Sequence, residues 1–272
     1  MLVLGALASA SQATLYFYDG FDYTANTGLR GTATTMWSNN VSGGNPLATN
    51  RTGSLSYSGI PASAGGKVEL AGYRPGFAGS VNRMTWSNHL GTADLFASFI
   101  LNVDTLSTVQ SNSYIFSMRN GKGQLVITNN ASNPSKFNIG LFEVAGKTTF
   151  AWDTNGGNGY DLGTSYFIVM SYTNVTAATN AFAQFWVNPV LGQSSPGAAL
   201  GTLKVANDTT THNKVGVGNG NGIALPENRS VIYIDELRVG STWSDVAIPE
   251  PATVGMLGLG ALVTLLFRRI RR

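Results

Sequence analysis

The chain of 272 residues holds five glutamates, Glu69, Glu143, Glu227, Glu236 and Glu250. Hydrolysing a glycosidic bond by acid and base takes two carboxylates flanking that one bond. Asp235 and Glu236 are adjacent in Ile234-Asp-Glu-Leu-Arg238. On a strand, adjacent side chains point to opposite faces, so these two cannot share a substrate. The expectation is one inward hydrogen-bonding carboxylate and one solvated partner for Arg238. His89, in Ser-Asn-His-Leu, and His212, in Thr-Thr-His-Asn, are the two histidines, both in polar, turn-like contexts. Both are read as surface residues. No His/Asp/Glu grouping has transition-metal spacing. The chain has no Cys, which excludes thiolate zinc sites, a cysteine nucleophile and a disulfide scaffold. These residues give no catalytic set and imply no cofactor; a non-enzyme is expected.

Two further patterns could bind a ligand. Asp153-Thr-Asn-Gly-Gly-Asn-Gly-Tyr-Asp161 offers hard oxygen ligands of the kind calcium takes. The bidentate Glu of an EF-hand is missing, and the same residues make a Gly/Asn-rich hairpin with left-handed turns, which is the favoured reading. The tryptophans are Trp37, Trp86, Trp152, Trp186 and Trp243. An indole open on one side can stack on a sugar ring. Trp186 lies in an apolar strand and is expected in the core, whereas Trp37 and Trp152 lie near loops and are the glycan-binding candidates.

The elements that must position these residues are strands. Leu95, Ala97, Phe99, Leu101 and Val103 alternate onto one face. Residues 166–172, Tyr-Phe-Ile-Val-Met-Ser-Tyr, are apolar on both faces, as in a central strand. Residues 181–187 and 231–239 are further strong strands. Shorter ones are expected at 14–18, 67–70, 81–86, 114–118, 124–128 and 137–144. Turn clusters fall at Asn120-Gly121, Asn129-Asn130, 155–158 and 216–222. Residues 38–66, rich in Ser, Gly, Asn and Ala, read as a long surface loop. Many strands without βαβ alternation predict an all-β, antiparallel β-sandwich over residues 14–247.

Charged residues make up 11% of the chain, against about 25% in an average soluble domain. The net charge of +3 would suggest a polyanionic partner, but four of the 17 basic residues are Arg268, Arg269, Arg271 and Arg272. The other 13 basic residues face 14 acidic ones, a net of −1. The body has no basic excess, and no nucleic-acid partner is expected.

The two ends read as addresses. Residues 1–13 form an apolar run closing on small residues, which predicts a signal peptide cut by signal peptidase after Ala13. No Lys or Arg precedes that run; a start codon further upstream accounts for this, and a buried first strand is the alternative. At the other end, Pro249-Glu250-Pro251 precedes an uncharged apolar segment, 253–267, expected as one hydrophobic transmembrane helix. The arginine cluster after it stays cytoplasmic by the positive-inside rule, leaving the body outside. A soluble core has no place for four arginines against a helix apolar on all sides.

This tail, residues 248–272, resembles the PEP-CTERM sorting signal of Gram-negative bacteria. The resemblance implies that Pro249, Glu250 and Pro251 are recognised by an exosortase-type membrane enzyme. It further implies passage through the inner membrane to the cell surface or medium, often alongside extracellular polysaccharide. Tyr18-Asp-Gly-Phe-Asp-Tyr23, Phe185-Trp-Val-Asn-Pro189, Ile234-Asp-Glu-Leu-Arg-Val-Gly240 and Thr242-Trp-Ser-Asp245 resemble exported proteins with a concanavalin A-like (laminin G-like) jelly roll. In such folds the first and last strands pair, so the termini emerge together. Jelly-roll glucanases carry Glu-x-Asp-x-x-Glu on one strand, and jelly-roll lyases use a Gln/His/Tyr/Arg groove; neither pattern is present. Three readings follow: a non-catalytic surface or matrix protein binding glycans, a polysaccharide hydrolase or lyase on the same scaffold, and a structural envelope component without a ligand.

Overall fold

The computed structural model describes residues 15–29, 38–39, 48–61, 65–71, 84–88, 94–106, 113–118, 123–142, 150–173, 181–205, 213–221 and 230–247. In chain order the strands begin with β1 (Leu15–Asp19), β2 (Ser38–Asn39), β3 (Ala48–Arg51), β4 (Lys67–Ala71) and β5 (Met84–Asn88). There follow β6 (Leu95–Thr105), β7 (Ser113–Met118), β8 (Gly123–Asn130), β9 (Asn133–Phe142), β10 (Phe150–Asp153) and β11 (Tyr160–Asp161). The last are β12 (Ser165–Thr173), β13 (Ala181–Val187), β14 (Gly201–Val205), β15 (Asn213–Asn221) and β16 (Val231–Gly240), and one short helix, α1 (Trp243–Ala247), closes the described body.

Every pairing is antiparallel, and the strands form two sheets. The first runs β14-β13-β12-β6-β16-β4-β3, with β1 also on β16; the second runs β10-β9-β8-β7-β15-β5-β2, with β11 on β9. The chain repeatedly changes sheet, as from β5 to β6 to β7 and from β14 to β15 to β16. This is the expected jelly-roll sandwich. The first and last strands are indeed neighbours: Phe17 faces Val239 and Tyr18 faces Arg238.

The main core lies between the sheets. Leu95, Ala97, Phe99, Leu101 and Val103 all enter it from β6, against Ile115, Leu125, Ile127, Phe137, Ile139 and Leu141 of the second sheet. Each fully buried aliphatic or aromatic side chain of this set contributes roughly 1.5–3 kcal/mol. A second, smaller core covers the outer face of the first sheet. There Ile100, Phe167, Val169 and Trp186 pack under Leu55 and under Trp243, Val246 and Ala247 of α1. The centre of the first sheet is thus buried on both faces, which is why residues 166–172 are apolar on both, and Trp186 is in a core as expected.

Three expectations are corrected. Residues 38–66 are not one surface loop: they contain β2 and β3, the latter pairing with β4, and Leu55 is buried. Residues 216–221 are not a turn but part of β15, paired with β7, and at Gly216 and Val217 with β5 as well. Pairing with β5 over 213–217 and with β7 over 216–221 imposes the extended backbone that three glycines in nine residues would not choose alone. Glu236, finally, is not solvated. The register of β16 against β6 runs from Asp235 opposite Ile100 to Arg238 opposite Ser98, so β16 carries one extra residue there. This bulge switches the core-facing parity from Ile232 and Ile234 to Leu237 and Val239. Glu236 sits in the bulge at φ 53°, and Asp235 and Glu236 are 0% and 2% exposed.

The apolar C-terminal helix expected at 253–267 lies outside the described residues, as do Ala13, Trp37, His89, His212, Pro249, Glu250, Pro251 and the four terminal arginines. No described helix is long and apolar enough to cross a membrane.

Candidate functional site

The second sheet differs from the first in what its outward face carries. In β9, Phe137, Ile139 and Leu141 point into the core. Strand alternation then turns Asn138, Gly140 and Phe142 outward. Trp152 of β10 faces Gly140, and Gly140 faces Val126 of β8, so the three form one outward row. In the next row Asn138 faces Thr128. The two rows are about 7 Å apart, two residues along a strand.

Gly140 is what lets the indole lie down. A Cβ at this position would come within 2.5 Å of Trp152 Cε3 and 3.0 Å of the Ala151 carbonyl oxygen. Trp152 therefore fills the space left by the missing side chain and remains part-exposed. The neighbouring polar groups are neutral. Asn138 Oδ1 accepts from Asn130 Nδ2 at 3.2 Å, and Asn130 Oδ1 accepts from the backbone N–H of Ser132 and Asn133, fixing the β8–β9 turn. Thr128 and Asn138 are half-buried. Gln124 and Ser117 face each other further along the sheet, both nearly buried.

The acidic residues among the described strands of this sheet are Asp153 and Asp161. Neither is free. Asp153 Oδ1 accepts from the Asn155 N–H at 3.0 Å, and Asp153 Oδ2 accepts from the Tyr160 hydroxyl. Burial, reinforced by the Asp153 carboxylate, pushes the Tyr160 phenol well above its ordinary pKa. Asp161 pairs with Lys136 at 2.7 Å. The loop from 153 to 161, weighed for calcium, is built as a turn: Asn155, Gly156, Gly157 and Gly159 all have positive φ. Asn155 Nδ2 and the Gly157 N–H donate within the loop, to the Gly159 carbonyl and to Thr154 Oγ1. Among the described residues no group of three or more His, Cys, Asp or Glu could hold a metal ion.

The most concentrated set of ionisable groups lies instead on the outer side of the first sheet. Asp235 accepts from the backbone N–H groups of Leu55 at 2.8 Å and Glu236 at 2.7 Å. Burial, outweighing those two donors, raises its pKa to about 7. Glu236 accepts from the Tyr18 hydroxyl at 2.8 Å and from Arg238 Nη2 at 3.3 Å. Burial and Glu236 hold the Tyr18 phenol far above its usual pKa, the wrong direction for a base. Both carboxylates are closed off from solvent, so this cluster locks the last strand to the first rather than meeting a substrate. Glu69 is likewise engaged, with Arg51 Nε at 2.7 Å.

Of the two glycan-binding candidates from sequence, Trp152 lies on the outward face of the second sheet and Trp37 lies outside the described residues. Sequence reasoning missed Gly140, whose signal was a lone glycine inside the apolar run Phe137-Asn-Ile-Gly-Leu-Phe142.

Residues 247–272 match the PEP-CTERM protein-sorting motif. The chain is thus an exported β-sandwich protein carrying an exosortase-type sorting signal at its C-terminus. No curated protein matches the chain. Among solved structures it is similar to the endo-β-1,4-glucuronan lyase of the fungus Trichoderma reesei, at 14% identity and a TM-score of 0.48, covering 86% of this chain and 98% of that one. The cellulose-induced protein Cip1 is similar at 14% identity and a TM-score of 0.47, covering 83% and 97%. Domain 4 of AbnA, an extracellular arabinanase of Geobacillus stearothermophilus, is similar at 13% and 0.46, covering 85% and 93%.

Proposed function

We propose that this protein is a non-catalytic surface or matrix component whose body binds neutral glycan on the outward face of the second sheet. The observation that carries this reading is Trp152, laid over Gly140 and flanked by Asn138 and Thr128. A flat aromatic face takes the apolar side of a sugar ring, and neutral amides and hydroxyls take its hydroxyl groups. The engagement of Asp153 supports binding over hydrolysis, since both of its oxygens already accept hydrogen bonds, from the Asn155 N–H and the Tyr160 hydroxyl.

Delivery completes the reading. The N-terminal segment is removed after Ala13. Residues 253–267 lodge in the inner membrane with Arg268, Arg269, Arg271 and Arg272 on the cytoplasmic side, and Pro249-Glu250-Pro251 is presented to an exosortase-type enzyme. Two prolines hold the glutamate in an extended segment. The body then reaches the cell surface, where extracellular polysaccharide is its partner.

The test is fractionation of the tagged protein in its native host, with mass spectrometry of the mature C-terminus and polysaccharide binding of the recovered body. Loss of the segment after Pro251, with the body outside and retained on a neutral polysaccharide, is expected. An intact tail in a cytoplasmic fraction contradicts the delivery. New reducing ends or unsaturated sugars in a turnover assay would make the protein an enzyme instead.

A further inference from the structure

The loop of residues 188–200, between β13 and β14, contains no charged residue. It borders a pocket of about 420 Å³ whose wall includes Trp186, Trp243, Pro189, Val190, Pro196 and Leu200. Val190 is 69% exposed and Leu200 45%, two of the four large hydrophobic residues standing in solvent among the described residues. The loop that carries them is pinned at several points. Trp186 Nε1 donates to the Gly197 carbonyl and Trp243 Nε1 to the Gln193 carbonyl, each at 3.0 Å. Asn188 Oδ1 accepts from the Phe167 N–H at 2.8 Å, and the Leu200 N–H donates to the Phe185 carbonyl at 3.0 Å. The two indoles meet edge to face, with ring centroids 5.4 Å apart, beneath this rim.

The place of the pocket in the chain says what covers it. Trp243 in its wall and Ala247 belong to the same helix, four residues and about 6 Å apart along the axis. Residues 248–252 then separate Ala247 from the apolar segment that starts at Thr253. Five extended residues reach at most about 18 Å. When the tail is in the membrane, this end of the body is therefore tethered within about 18 Å of the bilayer surface. The body has no positive excess to draw it to anionic lipid, so contact there depends on apolar groups.

We propose that the rim of this pocket docks on the lipid bilayer while the tail is embedded, with Val190 and Leu200 entering the interface. The inference rests on the reading of residues 253–267 as membrane-embedded. Docking would fix the orientation of the body, and with it the segment 248–252 that the processing enzyme must reach.

The absence of native cysteine makes the test direct. Single-cysteine variants of the full chain, Val190→Cys, Leu200→Cys, Ser132→Cys on the β8–β9 turn and Leu262→Cys in the tail, are labelled with an environment-sensitive fluorophore. They are reconstituted in phosphatidylethanolamine/phosphatidylglycerol vesicles carrying nitroxide-labelled lipid. Labels at 190 and 200 are expected to be quenched roughly twofold or more beyond the label at 132, with little change on adding salt, as apolar contact predicts. Quenching at 262 with none at 190 and 200 overturns the docking and leaves the tail reading intact. A blue shift at 190 without lipid quenching means that protein covers the rim, a second copy included, and also overturns it. A label at 262 that stays in water overturns the tail reading and the docking together.

Discussion

The indole of Trp152 lies on the backbone of Gly140, close enough that a Cβ there would come within 2.5 Å of Trp152 Cε3. Across this pair the outward face of the second sheet gains a flat aromatic surface that no other residue at position 140 would permit. Gly140→Ala should therefore push the indole off the sheet. The expected cost is about 1–3 kcal/mol, as for other overpacked contacts, together with loss of polysaccharide retention. Denaturant unfolding and affinity electrophoresis on one preparation check both. Unchanged retention would separate the face from the function.

Glu236 is expected to matter to stability and not to ligand binding. Its carboxylate neutralises Arg238 where both are buried, and it receives the Tyr18 hydroxyl from the first strand. Glu236→Gln leaves the guanidinium without a counter-charge and should cost about 3 kcal/mol or more. Tyr18→Phe removes one hydrogen bond and should cost about 1 kcal/mol. Urea titration of both variants reads the difference. Similar small losses would mean that the β1–β16 seam is held by its backbone pairing alone.

Asp235 gives the fold a defined pH dependence. In the unfolded chain its pKa is about 3.9; in the folded protein burial raises it to about 7, against the two backbone donors and Lys67 that pull it down. Between these values the folded state binds the extra proton. The stabilising contribution is thus complete below about pH 4 and is lost as pH rises through about 7, at no more than about 1.4 kcal/mol per pH unit. Asp235→Asn cannot accept from both Leu55 and Glu236 and should be less stable throughout, but without this slope. The gap between wild type and variant should narrow from pH 4 to pH 7. A gap that stays constant over that range would show that the carboxylate is already ionised when buried.

The sandwich was legible where burial follows strand period. Leu95, Ala97, Phe99, Leu101 and Val103 alternate in sequence and all reach the core, and residues 166–172 are apolar on both faces because both faces of their sheet are covered. What escaped were the elements held by partners rather than by their own pattern. Strand β15, with its glycines, is extended only because β5 and β7 flank it. Strand β3, Ala-Thr-Asn-Arg, has no apolar alternation and lies at a sheet edge. The bulge at Glu236 did leave a trace: Ile232 and Ile234 are two apart, whereas Ile234 and Leu237 are three apart. Of the candidate site, the aromatic residue was visible in the sequence. Its seat was not, because only the β9–β10 register brings Trp152 to Gly140.

The binding face is tested most directly by Trp152→Ala in the full chain, titrated with a neutral polysaccharide from the surface of its own host. The account predicts a body with little-changed unfolding behaviour and an affinity lowered at least about tenfold, the loss of one aromatic contact worth about 1.4 kcal/mol or more. An affinity equal to that of the unsubstituted protein would contradict it, and the outward face of the second sheet would then not be where this protein meets sugar.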